Sequence, residues 1–240
     1  MLRSISGHWR AALKVALPWL ALLTLLNVWS LSSQSQTLSP SGELNLGWID
    51  LVALVIGLVA TCSIAVSWHR FILIDAPPSS VSPFRMDRLV WAYLGRSILI
   101  YGLCSVPLFA VILFKLNMFP VIFLPIVLAI FIQLAVFACR MSISLPAVAV
   151  ERPAIGLKQA LEITRGNNFK ILGLMCLTYL VLALALIAYL TVVGLLSAVQ
   201  PNLALVASLV LGIPVQFFSV MTNATLLTSL YGFFIEHRDF

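Results

Sequence analysis

Six long apolar stretches that carry almost no charge constrain this chain more than any other feature. Each is roughly 17 residues or longer, which lets an α-helix cross a hydrocarbon core of about 30 Å. The apolar residues run continuously instead of alternating with polar ones, so the pattern predicts helices and not strands. The predicted spans are, in order, about 15–31, 47–68, 89–114, 120–139, 169–198 and 202–235.

The composition leads to the same class of protein. Hydrophobic residues make up 62% of the 240 residues and charged residues only 9%, whereas a soluble domain carries about 25% charge. In lipid every backbone polar group needs an internal partner, which favours a helix bundle. The sequence therefore predicts an all-α, polytopic membrane helix bundle, with residues 1–240 forming a single integral membrane domain.

The positions of the basic residues predict the orientation. Six spans place both termini on one side, and twelve of the 14 basic residues lie on that side. Arg96 lies near it, just inside the third span, and Lys115 lies opposite. Because Lys and Arg are enriched in cytoplasmic loops, we expect the N- and C-termini to be cytoplasmic. The net charge of +6 therefore reflects membrane topology, and no nucleic-acid partner is expected.

The linker between the fourth and fifth spans carries regular charge. Residues 140–150 form an apolar tract broken by Pro146, which we expect in the interface or packed beneath the bundle. Pro153 fits the first turn of a short cytoplasmic amphipathic helix, which Gly166 should end. Its apolar face holds Leu157, Ala160, Leu161 and Thr164, and its polar face holds Lys158, Gln159, Glu162 and Arg165. Asn167 or Asn168 can then cap the fifth span.

A faint internal repeat relates this linker to the one after the second span. Arg70 and Arg140 each end a predicted span and lead to an acid and a proline, and Arg96 and Arg165 follow. The repeat indicates either two similar units or a coincidence.

The segment RMSISLPAVAVERPAIGLKQALEITRGNNFKILGL resembles a pattern found in bacterial inner-membrane proteins, among them the membrane domain attached to some glycerophosphodiester phosphodiesterases. The matching residues are Arg140, Leu145-Pro146-Ala147, Glu151, Thr164-Arg165-Gly166-Asn167 and, after the second span, Trp68-His69-Arg70-Phe71. The resemblance implies a multi-pass protein of a bacterial inner membrane. The sequence contains no phosphodiesterase domain, so no catalysis carries over. Glu162-Ile163 departs from the family pattern, in which an aromatic residue often precedes the Thr-Arg pair.

Four arginines are the candidate residues for binding lipid or a partner protein: Arg70, Arg96, Arg140 and Arg165. Each lies at the cytoplasmic end of a predicted helix or of the segment leading into one. Arginine suits phosphate because its planar guanidinium can donate two hydrogen bonds at once. Ion pairing with Asp75, Glu151 and Glu162 is the competing interpretation.

Six further residues form the predicted structural motif: Trp68, His69, Pro146, Glu151, Gly166 and Asn167. Trp68 and His69 are expected to lie in the membrane interface, as part of an aromatic belt and as an anchor. Trp91 and Tyr93 should occupy the interface at the start of the third span.

The function that these features favour is non-enzymatic binding of anionic membrane lipid or of a partner protein, including another copy of the chain, through the cytoplasmic face. No cofactor or metal is expected, because the histidines and the four cysteines stand apart in sequence. The cysteines are interpreted as small apolar packing residues.

The alternative is a small membrane transporter. Pro214 should kink the last span, which also places four polar residues at membrane depth: Gln216, Ser219, Thr222 and Asn223. Hydrogen bonding between helices is a competing explanation of this strip. A membrane-embedded enzyme ranks last, because no acid–base or metal-ligating set converges in the sequence.

Overall fold

The computed structural model describes residues 8–34, 47–77, 84–113, 124–152 and 155–237. Their helices are α1 (Trp9–Gln34), α2 (Trp48–Ile74), α3 (Arg88–Leu113), α4 (Leu124–Ser142), α5 (Ser144–Ala149), α6 (Leu157–Ile163), α7 (Asn168–Val199) and α8 (Pro201–Phe234). Six candidate spans are long and apolar enough to cross a membrane, and the fourth of them combines α4 with α5. The predicted all-α bundle of a multi-pass membrane protein is confirmed.

The bounds of the spans differ from the prediction mainly at the ends that carry polar residues. The prediction ended the second span at Trp68, but α2 continues to Ile74. It ended the fourth span at Cys139, but α4 runs to Ser142 and α5 continues to Ala149. Both errors have one cause: a histidine or an arginine was taken as the end of a span, although the fold gives these side chains partners inside the bundle. Residues 114–123, which include the predicted start of the fourth span, lie outside the described residues.

Aromatic contacts fix how the first two helices run. The His8 ring meets Phe71 edge-on at 5.2 Å between centroids, and Trp29 meets Trp48 at 5.9 Å. The start of α1 therefore lies beside the end of α2, and the two helices are antiparallel. The long helices continue to alternate in direction. We use the name basic end for the end of the bundle that holds the starts of α1, α3 and α7, the ends of α2, α4 and α8, and helices α5 and α6.

The core consists of two clusters of buried apolar residues, and α5 belongs to both. The first cluster lies among α1, α2 and α3 and includes Trp19 and Trp68, while the second includes Ile171 and Tyr231 of α7 and α8. Leu145 of α5 packs in the first cluster and Ala147 in the second. The tract at 140–150 therefore lies inside the bundle, and both predicted locations, in the interface and beneath the bundle, are wrong.

The break between α4 and α5 arises from local hydrogen bonding. Ile143 keeps helical dihedrals, with φ of −59° and ψ of −21°, but belongs to neither helix, and the buried Ser144 hydroxyl donates to the carbonyl oxygen of Met141 over 2.7 Å. This bond satisfies one of the carbonyls that the end of α4 leaves without a helical partner. Pro146 follows in the first turn of α5, where its missing N–H group costs nothing.

The amphipathic helix α6 has the predicted faces but starts later than predicted. Gly156 occupies the N-cap position and residues 155–156 are not helical, so the assignment of Pro153 to the first turn of this helix is wrong. Pro153 itself lies outside the described residues. Ala160 and Thr164 are fully buried, whereas the polar face is exposed as expected. Helix α6 starts late because its N-cap residue, Gly156, has an extended backbone conformation, so the helical residues begin only after it.

Gly166 ends this segment in a left-handed conformation, with φ of +83°. We expect Gly166→Ala to lower the free energy of unfolding by about 1–2 kcal/mol, because a Cβ disfavours that conformation. Gly173→Ala is the matched control: Gly173 is helical, a Cβ there meets nothing within 4 Å, and alanine favours helix. Thermal unfolding in mild detergent should show a lower Tm for Gly166→Ala and an unchanged or higher Tm for Gly173→Ala. Equal Tm values for the two variants would contradict the assignment.

Candidate functional site

Arg70 joins the end of α2 to the end of α5. Its Nη1 donates to the carbonyl oxygen of Ala149 over 3.1 Å and to Oε2 of Glu151 over 3.2 Å. The Ala149 carbonyl belongs to the last turn of α5, where helical carbonyls lack a partner and carry partial negative charge. Glu151 adopts φ of 56°, which brings its carboxylate back toward Arg70. One guanidinium thus holds a short buried helix in place.

Arg140 holds α6 in place in the same way, by bonding to its end. Its Nε donates to Thr164 Oγ1 over 2.8 Å, and its Nη2 donates to the carbonyl oxygen of Leu161. The Thr164 hydroxyl gives its own proton to the carbonyl oxygen of Ala160 over 2.8 Å, so its oxygen is free to accept from Arg140. Thr164 belongs to the sequence motif, but its role as the partner of Arg140 was not predicted.

The other two candidate arginines have no such role. Arg96 is half-buried on α3, Arg165 is exposed after α6, and neither has a hydrogen-bond or ion-pair partner within the described residues. The structure therefore divides the four arginines into two that hold helix ends and two whose guanidinium groups are available at the basic end.

His69 is completely buried, and it connects three spans. Its Nδ1 lies 2.8 Å from Thr228 Oγ1 on α8, and its Nε2 lies 3.2 Å from the Tyr93 hydroxyl on α3. The Thr228 hydroxyl also lies 2.8 Å from the carbonyl oxygen of Ala224, so we assign it as donor to that carbonyl and as acceptor of the proton on Nδ1. Nε2 is then the acceptor for the Tyr93 hydroxyl. The assignment of His69 as an interfacial anchor is wrong: it is a neutral histidine whose two nitrogens are both satisfied.

The predicted interfacial locations of Trp68 and Tyr93 are wrong for the same reason. Trp68 is fully buried in the first cluster beside Phe71, and Tyr93 is 4% exposed, so neither belongs to an interfacial belt. Trp91, by contrast, is 53% exposed, as an interfacial residue should be. A sequence shows only that an aromatic residue lies near the end of a span; the neighbouring helices decide whether it faces lipid or the core.

The remaining motif residues shape the backbone around these contacts. Pro146 lies in the buried α5, and Glu151 accepts from Arg70. Gly166 has the positive φ expected of a helix terminator. Asn167 occupies the N-cap position of α7 as predicted, although its side chain makes no capping hydrogen bond.

A cavity of about 720 Å³, here called the central cavity, lies among α2, α3, α4, α7 and α8. A second cavity of about 250 Å³ shares lining residues with it, including Thr61, Tyr101 and Asn223. The polar residues that line the central cavity are Thr61, Tyr101, Ser105, Ser142, Tyr179, Ser219 and Asn223. Among the described residues, no charged side chain lines it. This space is the main feature that sequence analysis missed, because its walls come from five helices.

The polar strip on the last span lies partly along such cavities. Ser219 and Asn223 line the central cavity, and Gln216 lines a third space of about 440 Å³ beside α1 and α2. Asn223 also accepts a hydrogen bond from the Tyr179 hydroxyl of α7 over 3.1 Å. Thr222 is buried. The strip therefore bonds one helix to another through Asn223 and also lines open space.

Three of the four cysteines also converge on these cavities. Cys104 and Cys139 line the central cavity and Cys62 lines the smaller one that adjoins it, while Cys176 is exposed on α7. All four are free thiols. Their positions on different spans gave no hint that three of them share one region.

Comparison with protein-family models, with curated proteins and with solved structures finds no match to this chain.

The contacts of Arg140 predict that it is a structural residue. Arg140→Gln should destabilise the protein by about 2–3 kcal/mol, because it removes two charge-assisted hydrogen bonds and leaves the Leu161 carbonyl without its donor. Arg165→Gln is the control, since Arg165 is exposed and should change the stability by less than about 0.5 kcal/mol. Thermal unfolding and protease accessibility of α6 in detergent would measure both. An Arg140→Gln protein as stable as the control would contradict the structural role.

Proposed function

We propose that this chain is a non-enzymatic protein of a bacterial inner membrane, with both termini in the cytoplasm, that binds anionic lipid headgroups at its basic end. The observation that carries the proposal is an excess of cations gathered at one end of the bundle. The described Lys and Arg residues there are Arg10, Lys14, Arg70, Arg85, Arg88, Arg96, Arg140, Arg152, Lys158, Arg165 and Lys170, and the described acids are Asp75, Asp87, Glu151, Glu162 and Glu236.

Internal pairing leaves most of this charge available. Arg70 pairs with Glu151, Arg85 with Asp87 and Arg152 with Glu236. Each pair uses one acid and one cation, so three of the five described acids but only three of the eleven described cations are paired. Cations near the cytoplasmic surface attract anionic headgroups, each by about 1 kcal/mol. A binding role is favoured over a catalytic one because His69, Arg70 and Arg140 are already engaged in bonds that hold helices together.

Arg96 and Arg165 are the arginines best suited to the lipid. Neither has a protein partner within the described ranges; Arg96 is half-buried near the start of α3, and Arg165 is exposed just before α7. Their guanidinium groups can each donate two parallel bonds to one phosphate.

We expect the double variant Arg96→Gln with Arg165→Gln to retain less phosphatidylglycerol and cardiolipin than the wild type. Two lost cations correspond to about 2 kcal/mol, or roughly 30-fold weaker binding. Native mass spectrometry of protein purified in mild detergent would count the bound lipids. The matched control is Arg96→Lys with Arg165→Lys, which keeps the charge and should keep most of the lipid. Equal retention by the wild type and the Gln variant, both folded, would overturn the proposal.

The orientation is tested by reporter fusions. A fusion at Ser41 should report the outside of the membrane and a fusion after Phe240 the inside, because the basic end is expected to face the cytoplasm. Alkaline phosphatase activity and green fluorescent protein fluorescence measure the two locations. Opposite results at both positions would overturn the orientation, and identical results would overturn the even number of spans.

A small transporter is the second candidate, favoured by the cavities along the polar face of α8. Ser219 and Asn223 line the central cavity and Gln216 the space beside α1, so a solute could contact polar groups at several depths. Protein-dependent release of a trapped solute from proteoliposomes would distinguish transport from lipid binding alone.

A further inference from the structure

We propose that the central cavity is a binding site for an uncharged lipid that carries a carbonyl group on an apolar chain. This cavity is separate from the basic end, because it is a different surface and its proposed ligand carries no charge. Its volume of about 720 Å³ falls within the range of about 300–1,000 Å³ that is usual for small-molecule sites.

The site is open to the bilayer at its side. Phe131 of α4, Tyr101 of α3 and Tyr179 of α7 all line the cavity, and these side chains are also 42%, 56% and 46% exposed. The cavity is only partly enclosed, and these exposed residues of α3, α4 and α7 border it. A lipid chain can therefore enter sideways between α4 and α7 without crossing the aqueous phase.

The polar groups in the cavity select a hydrogen-bond acceptor. Ser142 is 2% exposed, and its hydroxyl makes no hydrogen bond of ordinary geometry within the described residues, although the Tyr101 hydroxyl lies beside it. Two neighbouring hydroxyls use at most one of their two protons on each other, so at least one proton remains for a ligand acceptor, and leaving that buried donor unbonded costs free energy. The Ser105 and Thr61 hydroxyls donate to carbonyls of their own helices, over 2.8 Å and 2.9 Å. Ser142 and Tyr101, whose hydroxyls are neighbours, are the pair that we infer to donate to one ligand oxygen.

The absence of charge among the described lining residues selects an uncharged ligand group. A phosphate or ammonium group buried there would have no ion partner, and burying an unpaired charge is strongly unfavourable. An ester carbonyl of a glycerolipid and a carbonyl of a prenylated quinone both satisfy this chemistry. The headgroup of an anionic phospholipid does not.

The test uses the full chain in mild detergent with three probes: dioleoylglycerol, a decyl-substituted benzoquinone and phosphatidylglycerol. Native mass spectrometry measures retention of each probe by the wild type and by Ser142→Ala, Tyr101→Phe and the double variant. Each lost neutral hydrogen bond is worth about 1 kcal/mol, so each single change should weaken retention of the uncharged probe about fivefold and the double change about 30-fold. Whichever of the two uncharged probes shows this loss identifies the source of the carbonyl.

A second pair of variants guards against misfolding. Ala135→Phe places a ring at the exposed mouth of the cavity and should reduce retention while leaving Tm unchanged. Ala183→Phe makes the same change on the exposed surface of α7, away from the cavity, and should leave retention unchanged. A diazirine-bearing dioleoylglycerol analogue should crosslink to the segment of α4 around residues 131–138 in the wild type and in Ala183→Phe, but not in Ala135→Phe.

Several results would overturn the proposal. These are failure of the wild type to retain either uncharged probe, equal retention in the wild type and in Ala135→Phe, or crosslinks distributed over the lipid-facing surface without enrichment at α4. Retention of phosphatidylglycerol alone, reduced by changing Arg96 and Arg165 but unaffected in the cavity variants, would support the proposed function and refute the cavity site.

Discussion

The structure depends on how the short helices α5 and α6 end. A helix leaves its last carbonyls without internal partners, and inside a membrane protein water is scarce at such places. Arg70 meets the end of α5 and Arg140 meets the end of α6, each from the last turns of a long span. With those carbonyls bonded, α5 can lie wholly inside the bundle, where it separates two apolar clusters and packs against both.

This arrangement explains a motif that looked as if it served a ligand. The motif consists of an arginine, a Leu-Pro-Ala tract, an acid and a Thr-Arg-Gly sequence, and its residues stabilise the fold. Arg140 donates a hydrogen bond to Thr164, and the acid, Glu151, forms an ion pair with Arg70. Arg165, one residue after Thr164, has no part in these contacts. Charged residues of the same type, near one another in sequence, can therefore be divided by function only when their contacts are known.

Local patterns were enough to predict the spans and the faces of α6, because hydropathy and helical period are properties of neighbouring residues. They failed for His69, whose partners Tyr93 and Thr228 are 24 and 159 residues away, and for Trp68, which looked interfacial only because polar residues follow it. The central cavity was beyond prediction for the same reason. Each of its walls is an ordinary apolar helix, and the space exists only where five of them diverge.

The burial of α5 has a consequence for the order in which the protein is assembled. Helix α5 packs against α8 as well as against α2 and α3, yet the chain of α8 is synthesised more than 50 residues later. When the fourth span leaves the insertion machinery, one side of α5 still lacks its permanent neighbour. Until α8 is inserted, that side of α5 is in contact with lipid or with the insertion machinery. Assembly of this bundle is therefore completed at its centre, when the last span packs against α5, a segment that was inserted well before it.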